Sequence, residues 1–179
     1  MAAESAFAVN VPEAEPYVAA LRDRFDPSAK VGVPAHITVL YPFLPPEQIG
    51  EETLARVRRT LSRAAEFSFR LCRVQRFPTA TYLAPEPSKP FVQLTESLVG
   101  EFPAHLPYGG QYGDIVPHLT VAQGEYPRDL VEKELNDTLP PGGIEASCKE
   151  VVLIENSSGV WKPMQSFPLR TSGRSRGGG

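Results

Sequence analysis

Two of the three histidines in this chain stand in the same short phrase, 82 positions apart. The first copy reads Pro34-Ala35-His36-Ile37-Thr38-Val39 and the second Val116-Pro117-His118-Leu119-Thr120-Val121. The third histidine, His105, lacks the pattern. Both copies are rich in β-branched residues and read as strands, in which successive side chains point to opposite faces. His36 and Thr38 therefore share one face, and Ile37 and Val39 the other. His118 and Thr120 stand against Leu119 and Val121 in the same way. A chain built like this must present its polar pair to a space and its apolar pair to a core, twice.

The surrounding pattern predicts an order of elements that supports the doubling. Strands are expected at 5–11, 33–43, 67–77, 81–84, 115–123, 144–155 and 160–169. Helices are expected at 13–25, 46–66, 88–102 (capped by Ser88) and 127–139. Shifting the first half by 82 residues lays strand 33–43 on 115–123 and brings strand 67–77 near 144–155. The order strand, helix, strand, helix, strand thus recurs in pseudo-repeats at about 5–77 and 79–169. This predicts one domain, 1–170, made of two similar lobes facing each other about an approximate two-fold axis. The glycine-ended tail 171–179 is expected to be disordered.

If the lobes face each other, two imidazoles and two hydroxyls meet in one cleft. That set suits phosphodiester chemistry. One neutral imidazole can take a proton from an attacking hydroxyl or water while the other, protonated, gives one to the leaving oxygen. The threonine hydroxyls can donate to the non-bridging phosphate oxygens, where charge builds in the transition state. A lone histidine on a strand is more often a packed or surface residue; the matched pair shifts the balance to catalysis. No cluster of carboxylates is spaced to hold a metal.

Composition removes several other classes. A formal charge of −3 excludes a strongly basic nucleic-acid coat protein. No apolar run is long enough for a membrane span, and Met1 to Phe7 lacks the pattern of a signal peptide. Cys72 and Cys148 are too few for a disulfide scaffold, their spacing fits no zinc site, and both are expected as reduced, buried thiols. The expectation is a cytoplasmic monomer without a cofactor.

In its paired motifs, His36-Ile37-Thr38-Val39 and His118-Leu119-Thr120-Val121, the chain resembles the two-histidine phosphoesterases, which include 2′-5′ RNA ligase-like proteins and cyclic phosphodiesterases. Their signature is two His-x-Thr/Ser-x motifs about 80 residues apart, and the likeness extends to about Leu169. The resemblance implies an α+β fold of two antiparallel sheets with outer helices and a central groove. It implies catalysis by His36 and His118, phosphate binding by Thr38 and Thr120, and no metal or cofactor. The implied substrates are 2′,3′-cyclic phosphates, 2′-5′ linkages or RNA ends. One departure is the segment Leu40-Tyr41-Pro42-Phe43-Leu44-Pro45, where many ligase-like members carry a glycine-containing turn.

Secondary features have competing readings. Seven arginines between Glu51 and Arg76 either draw in a polyanion or form a solvated face, and the solvated face is the commoner outcome for such runs. Arg70 is the one expected nearest the groove. Tyr41 and Phe43 beyond the first motif, Tyr126 beyond the second, and Tyr108 and Tyr112 in the loop before it are candidates to line the groove and stack on a base. Trp161 is expected to be structural.

Overall fold

The computed structural model describes residues 2–172. The expected tail lies, from residue 173 onward, outside the described residues. Eight strands form two four-stranded antiparallel sheets. The first orders β2 (His36–Leu40), β1 (Ser5–Asn10), β7 (Glu150–Glu155) and β8 (Lys162–Pro168). The second orders β5 (Leu119–Gln123), β4 (Ala80–Glu86), β3 (Phe67–Phe77) and β6 (Ile144–Cys148). The α+β architecture of two sheets with helices is as expected. Each sheet, however, draws strands from both halves of the sequence: β3 leaves the first motif to join the second motif's sheet, and β7 and β8 return to the first.

That exchange explains one correction. The single long strand expected over 144–155 is two strands, broken at Lys149, where the chain passes from one sheet to the other. β6 alternates buried and exposed residues, as a strand with one wet face does, whereas Val151 to Glu155 are all buried. The helix expected over 46–66 is also shorter. A 3₁₀ turn at Pro46–Gln48 precedes α3 (Glu51–Leu61), and a strand follows from Phe67.

The remaining helices are α1 (Glu15–Phe25), the one-turn α2 (Pro27–Lys30), α4 (Lys89–Glu101) and α5 (Arg128–Thr138). Ser88 occupies the N-cap of α4, but its side chain makes no capping hydrogen bond, contrary to expectation. Each motif strand is backed by a helix: α4 packs on β2 and α1 on β5. Thr95 of α4 donates its hydroxyl to the Val39 carbonyl at 2.7 Å, fixing that contact. The main core lies between sheets and helices and includes Ile37, Val39, Leu119 and Val121, the apolar partners in the two motifs.

Both motif strands carry the same irregularity. Pairing of β1 with β2 shifts between Phe7 and Ala8, and pairing of β4 with β5 shifts between Thr81 and Tyr82. Each shift accommodates one extra residue in the motif strand, so Val39 and Leu40 both turn into the core, as do Val121 and Ala122. The next residue, Tyr41 in one strand and Gln123 in the other, returns to the face that carries histidine and threonine. A third shift, in β3 between Leu71 and Arg73, leaves Cys72 exposed rather than buried as expected. Cys148 is buried, and desolvation pushes its thiol up to about 12.

Candidate active site

The motif strands β2 and β5 are the outer strands of their sheets, and they lie against each other. His36, Thr38, His118 and Thr120 are all half-exposed, while Ile37, Val39, Leu119 and Val121 are buried, so the alternation read from the sequence holds in both copies. His36 begins β2, and His118 immediately precedes β5.

Both imidazoles are anchored by the same local contact. His36 Nδ1 lies 2.8 Å from the Pro34 carbonyl oxygen, and His118 Nδ1 lies 2.7 Å from the Val116 carbonyl oxygen. A carbonyl oxygen only accepts, so Nδ1 carries the proton in each ring. Nε2 remains as the nitrogen open to a ligand, able to take a proton when neutral and to give one when charged. Burial pulls both imidazoles below their ordinary value of 6.5, against the upward pull of the backbone bond. His36 also feels Arg22 and His118, whose positive charges lower it, and Asp26, which raises it. The two rings are thus close enough for the charge of one to bear on the other.

What stands behind each ring differs. On the first side, Arg22 and Asp26 form a buried ion pair, Nε to Oδ2 at 2.9 Å, and Arg22 Nη2 donates to the Val33 carbonyl at 2.9 Å. The carboxylate of Glu15 accepts from the Ala35 amide at 2.7 Å, so α1 holds the chain on either side of Pro34. On the second side, His118 rests edge-on against Phe77 and Tyr82, with centroids at 5.0 and 5.5 Å. Those two rings stack on each other at 4.2 Å. Sequence reading missed Phe77 and Tyr82; the alternation of Ala80, Tyr82 and Ala84 against Thr81 and Leu83 was the available signal.

Of the secondary candidates, Tyr41 lies on the face of the first sheet that carries Thr38. It packs with Trp161 against Ala6, Ala8, Val33, Val152 and Ile154. Ala8 stands opposite Thr38 in the ladder, which ties this cluster to the site. Phe43 does not line the groove. It is 5% exposed and sits in the core between Phe7 and Phe102, at 4.8 and 5.1 Å. Tyr126 is also elsewhere: its hydroxyl meets the buried Thr81 hydroxyl at 2.7 Å and its ring packs near Phe25 of α1, which places it on the core side. Arg70 shares a sheet face with Gln75 and Tyr82 by register but sits toward β6, ion-paired with Glu145 and bonded to the Gly142 carbonyl. Arg56 and Arg76 of the arginine-rich stretch are likewise paired, with Glu101 and with Glu132 and Asp129.

Among the described residues no group of three or more His, Cys, Asp or Glu side chains is placed to hold a metal ion, and no helix is long and apolar enough to cross a membrane. Two four-stranded antiparallel sheets with helices, the two motifs at their outer strands, are the architecture of the two-histidine phosphoesterases. The sequence model of the 2′-5′ RNA ligase superfamily matches residues 11–159, and the chain belongs to that superfamily. Among solved structures, TT0787 of Thermus thermophilus is similar over 95% of this chain and 100% of its own, with a TM-score of 0.63 and 22% identity. LigT of E. coli, crystallised with 3′-AMP, is similar over 95% of this chain and 99% of its own, with a TM-score of 0.59 and 17% identity. LigT has also been crystallised with NADP+ (TM-score 0.58, 16% identity, 94% of this chain and 98% of its own). At these identities the likeness speaks for the fold. No curated protein is similar enough in sequence to register as a relative.

Proposed function

We propose that this protein is a metal-independent phosphodiesterase that hydrolyses 2′,3′-cyclic phosphates, or related phosphodiesters, at nucleotide or RNA ends. The observation that carries the reading is the identical setting of His36 and His118. Each ring spends its Nδ1 proton on the carbonyl two residues earlier, which leaves two Nε2 atoms free on facing strands.

In the reaction, neutral Nε2 of one ring takes a proton from water as its oxygen bonds to phosphorus. The Nε2–H of the other, charged ring gives its proton to the ribose oxygen as the P–O bond breaks. The two rings end with exchanged protonation states, and solvent resets them. Thr38 and Thr120 donate their hydroxyls to the non-bridging oxygens, whose charge grows along the way. Mutual repulsion between the rings disfavours the doubly charged state and so favours the mixed one that the reaction needs.

The same acid–base pair, taking the proton from a ribose hydroxyl in place of water while the ring P–O bond breaks and its oxygen is protonated, would join a cyclic phosphate to that hydroxyl, which gives 2′-5′ ligation as the alternative. Product analysis on a 2′,3′-cyclic mononucleotide, a 2′-5′ linked dinucleotide and a short RNA separates the outcomes. Release of a monophosphate from the cyclic nucleotide, lost in both His36→Ala and His118→Ala, is the expected result. Tight binding with no product would overturn it in favour of a binding module for nucleotides or RNA ends.

A further inference from the structure

The chain has three asparagines, and two of them put their side chains to structural use. Asn156 Oδ1 accepts from the Glu4 amide at 2.7 Å, and Asn136 Nδ2 donates to the Glu132 carbonyl at 2.9 Å. Asn10 differs. Its Oδ1 is buried and accepts no hydrogen bond among the described residues, and its Nδ2, which is not buried, donates none. A polar atom buried without a partner costs stability, and in a native protein it calls for a ligand or a role at a site.

Asn10 ends β1 directly opposite His36. The Val11 amide donates to the Ala35 carbonyl at 2.9 Å, which makes Asn10 and His36 a non-hydrogen-bonded pair, the kind whose side chains stand closer. Residues opposite each other in a ladder share a face. His36, Thr38, Asn10 and Ala8 therefore form a four-cornered patch on one face of the first sheet, while Val9 and Ile37 face the core. In the second sheet the register that pairs Tyr82 with Thr120 and Leu83 with Leu119 continues to Ala84 beside His118. The matching corners there are His118, Thr120, Ala84 and Tyr82, and the Tyr82 hydroxyl already donates to Gln75 at 3.1 Å. An amide with free donors thus stands next to one histidine and a methyl group next to the other.

With its oxygen turned inward, the Asn10 amide presents its two N–H groups, the positive end of its dipole, on the face that carries His36 and Thr38. We infer that Asn10 is a further substrate contact: Nδ2 donates to a non-bridging oxygen of the phosphate bound between His36 and His118, beside the Thr38 hydroxyl. The inference rests on the phosphodiesterase reading of the two motifs and adds a residue that lies outside both. Asn10 makes and breaks no covalent bond and moves no proton. It meets charge that grows on the oxygen as the fifth bond to phosphorus forms, so its contribution falls mainly on kcat. The phosphate is then held by two threonines in matched places and by one amide that has no counterpart.

The test compares Asn10→Ala and Asn10→Asp with the wild-type chain in thermal melting, in binding of inorganic phosphate and in turnover of 2′,3′-cyclic AMP. Because the Asn10 side chain makes no bond within the protein, Asn10→Ala should melt no lower than the wild type. It should bind phosphate about 10-fold more weakly and turn over the cyclic nucleotide about 10- to 10²-fold more slowly. Asn10→Asp fills the same space but sets a like charge against the phosphate, so it should lose more than the alanine variant. Should either variant fail to fold, heteronuclear NMR spectra of the wild-type chain read the contact directly. Phosphate should shift the side-chain amide signals of Asn10 and leave those of Asn136 and Asn156 in place. Wild-type phosphate affinity and turnover in Asn10→Ala, or an Asn10 amide unmoved by phosphate, overturn the inference and leave the enzyme. Weakened phosphate binding in Asn10→Ala, when the wild-type chain hydrolyses no cyclic phosphate, upholds the contact and removes the phosphodiesterase.

Discussion

Behind His36 the groove wall is small and apolar, built from Ala6, Ala8, Val152 and Ile154 and ending in Tyr41 and Trp161. In the other sheet the positions that correspond to Ala8, Val152 and Ala6 carry Tyr82, Gln75 and Ala80, with Phe77 in the place of Ile154 and under the His118 ring, and Gln123 where Tyr41 stands on the other side. The motifs themselves are almost superimposable in their local bonds, down to the Nδ1 contact. The two motifs are thus alike in their local bonds, while the walls beside them differ. On the proposed mechanism, symmetry belongs to the proton transfers and asymmetry to whatever fixes the orientation of the substrate.

The sharpest way to break that division is to remove one reacting group at a time. His36→Ala and His118→Ala should each lower kcat on a 2′,3′-cyclic nucleotide by at least about 10²-fold. A large loss in only one of them would mean that the two motifs are not chemical equals. Thr38→Val and Thr120→Val should cost less, about 10- to 10³-fold, with unchanged thermal melting.

The wall and the core can be told apart by stability. Phe43→Ala should destabilise the protein by about 3–5 kcal/mol in urea unfolding, as expected for a large ring lost from a packed core. Tyr41→Phe, which keeps the ring and drops the bond to Glu4, should cost about 0.5–1.5 kcal/mol. A smaller penalty at Phe43 than at Tyr41 would reverse their assignment to core and groove.

A pH profile sharpens the comparison further. Both imidazoles lie below 6.5, mainly through burial, so the proton on the acid-acting ring becomes scarce as pH rises toward neutrality. The kcat/KM of the free enzyme should therefore peak on the acid side of 6.5 and fall about tenfold per pH unit once the acid-acting ring has lost its proton. A plateau extending to pH 8 would contradict that direction. The smallest effect belongs to Tyr126→Phe. It removes the contact with Thr81 and should cost about 0.5–1.5 kcal/mol in stability with no change in kcat/KM.

Much of the site was legible because strand periodicity is a local rule: residues 36 to 39 and 118 to 121 alternate as their sequence says. The rule failed where the ladder did. Counting by twos from His36 sends Tyr41 to the face of Ile37 and Val39, but the inserted residue turns it to the face of Thr38. Tyr126 sits in a loop, where alternation has nothing to say. The break at Lys149 was within reach, since Ile144-Glu-Ala-Ser-Cys148 alternates whereas Val151-Val-Leu-Ile154 is continuously apolar. The side chains behind His118 were harder to find, because β3 reaches them from a sheet assignment that depends on contacts distant in sequence.

The exchange of strands between sheets also bears on how the chain is made. Strands β1 and β2 end by Leu40, but β7, which pairs with β1, begins only at Glu150. The half of the molecule that carries His36 therefore stays unfinished until β7 and β8 have been made, a demand for long-range closure that slows folding. A nascent chain cut after Gln123 would hold all four motif side chains and still lack the three strands that complete the two sheets.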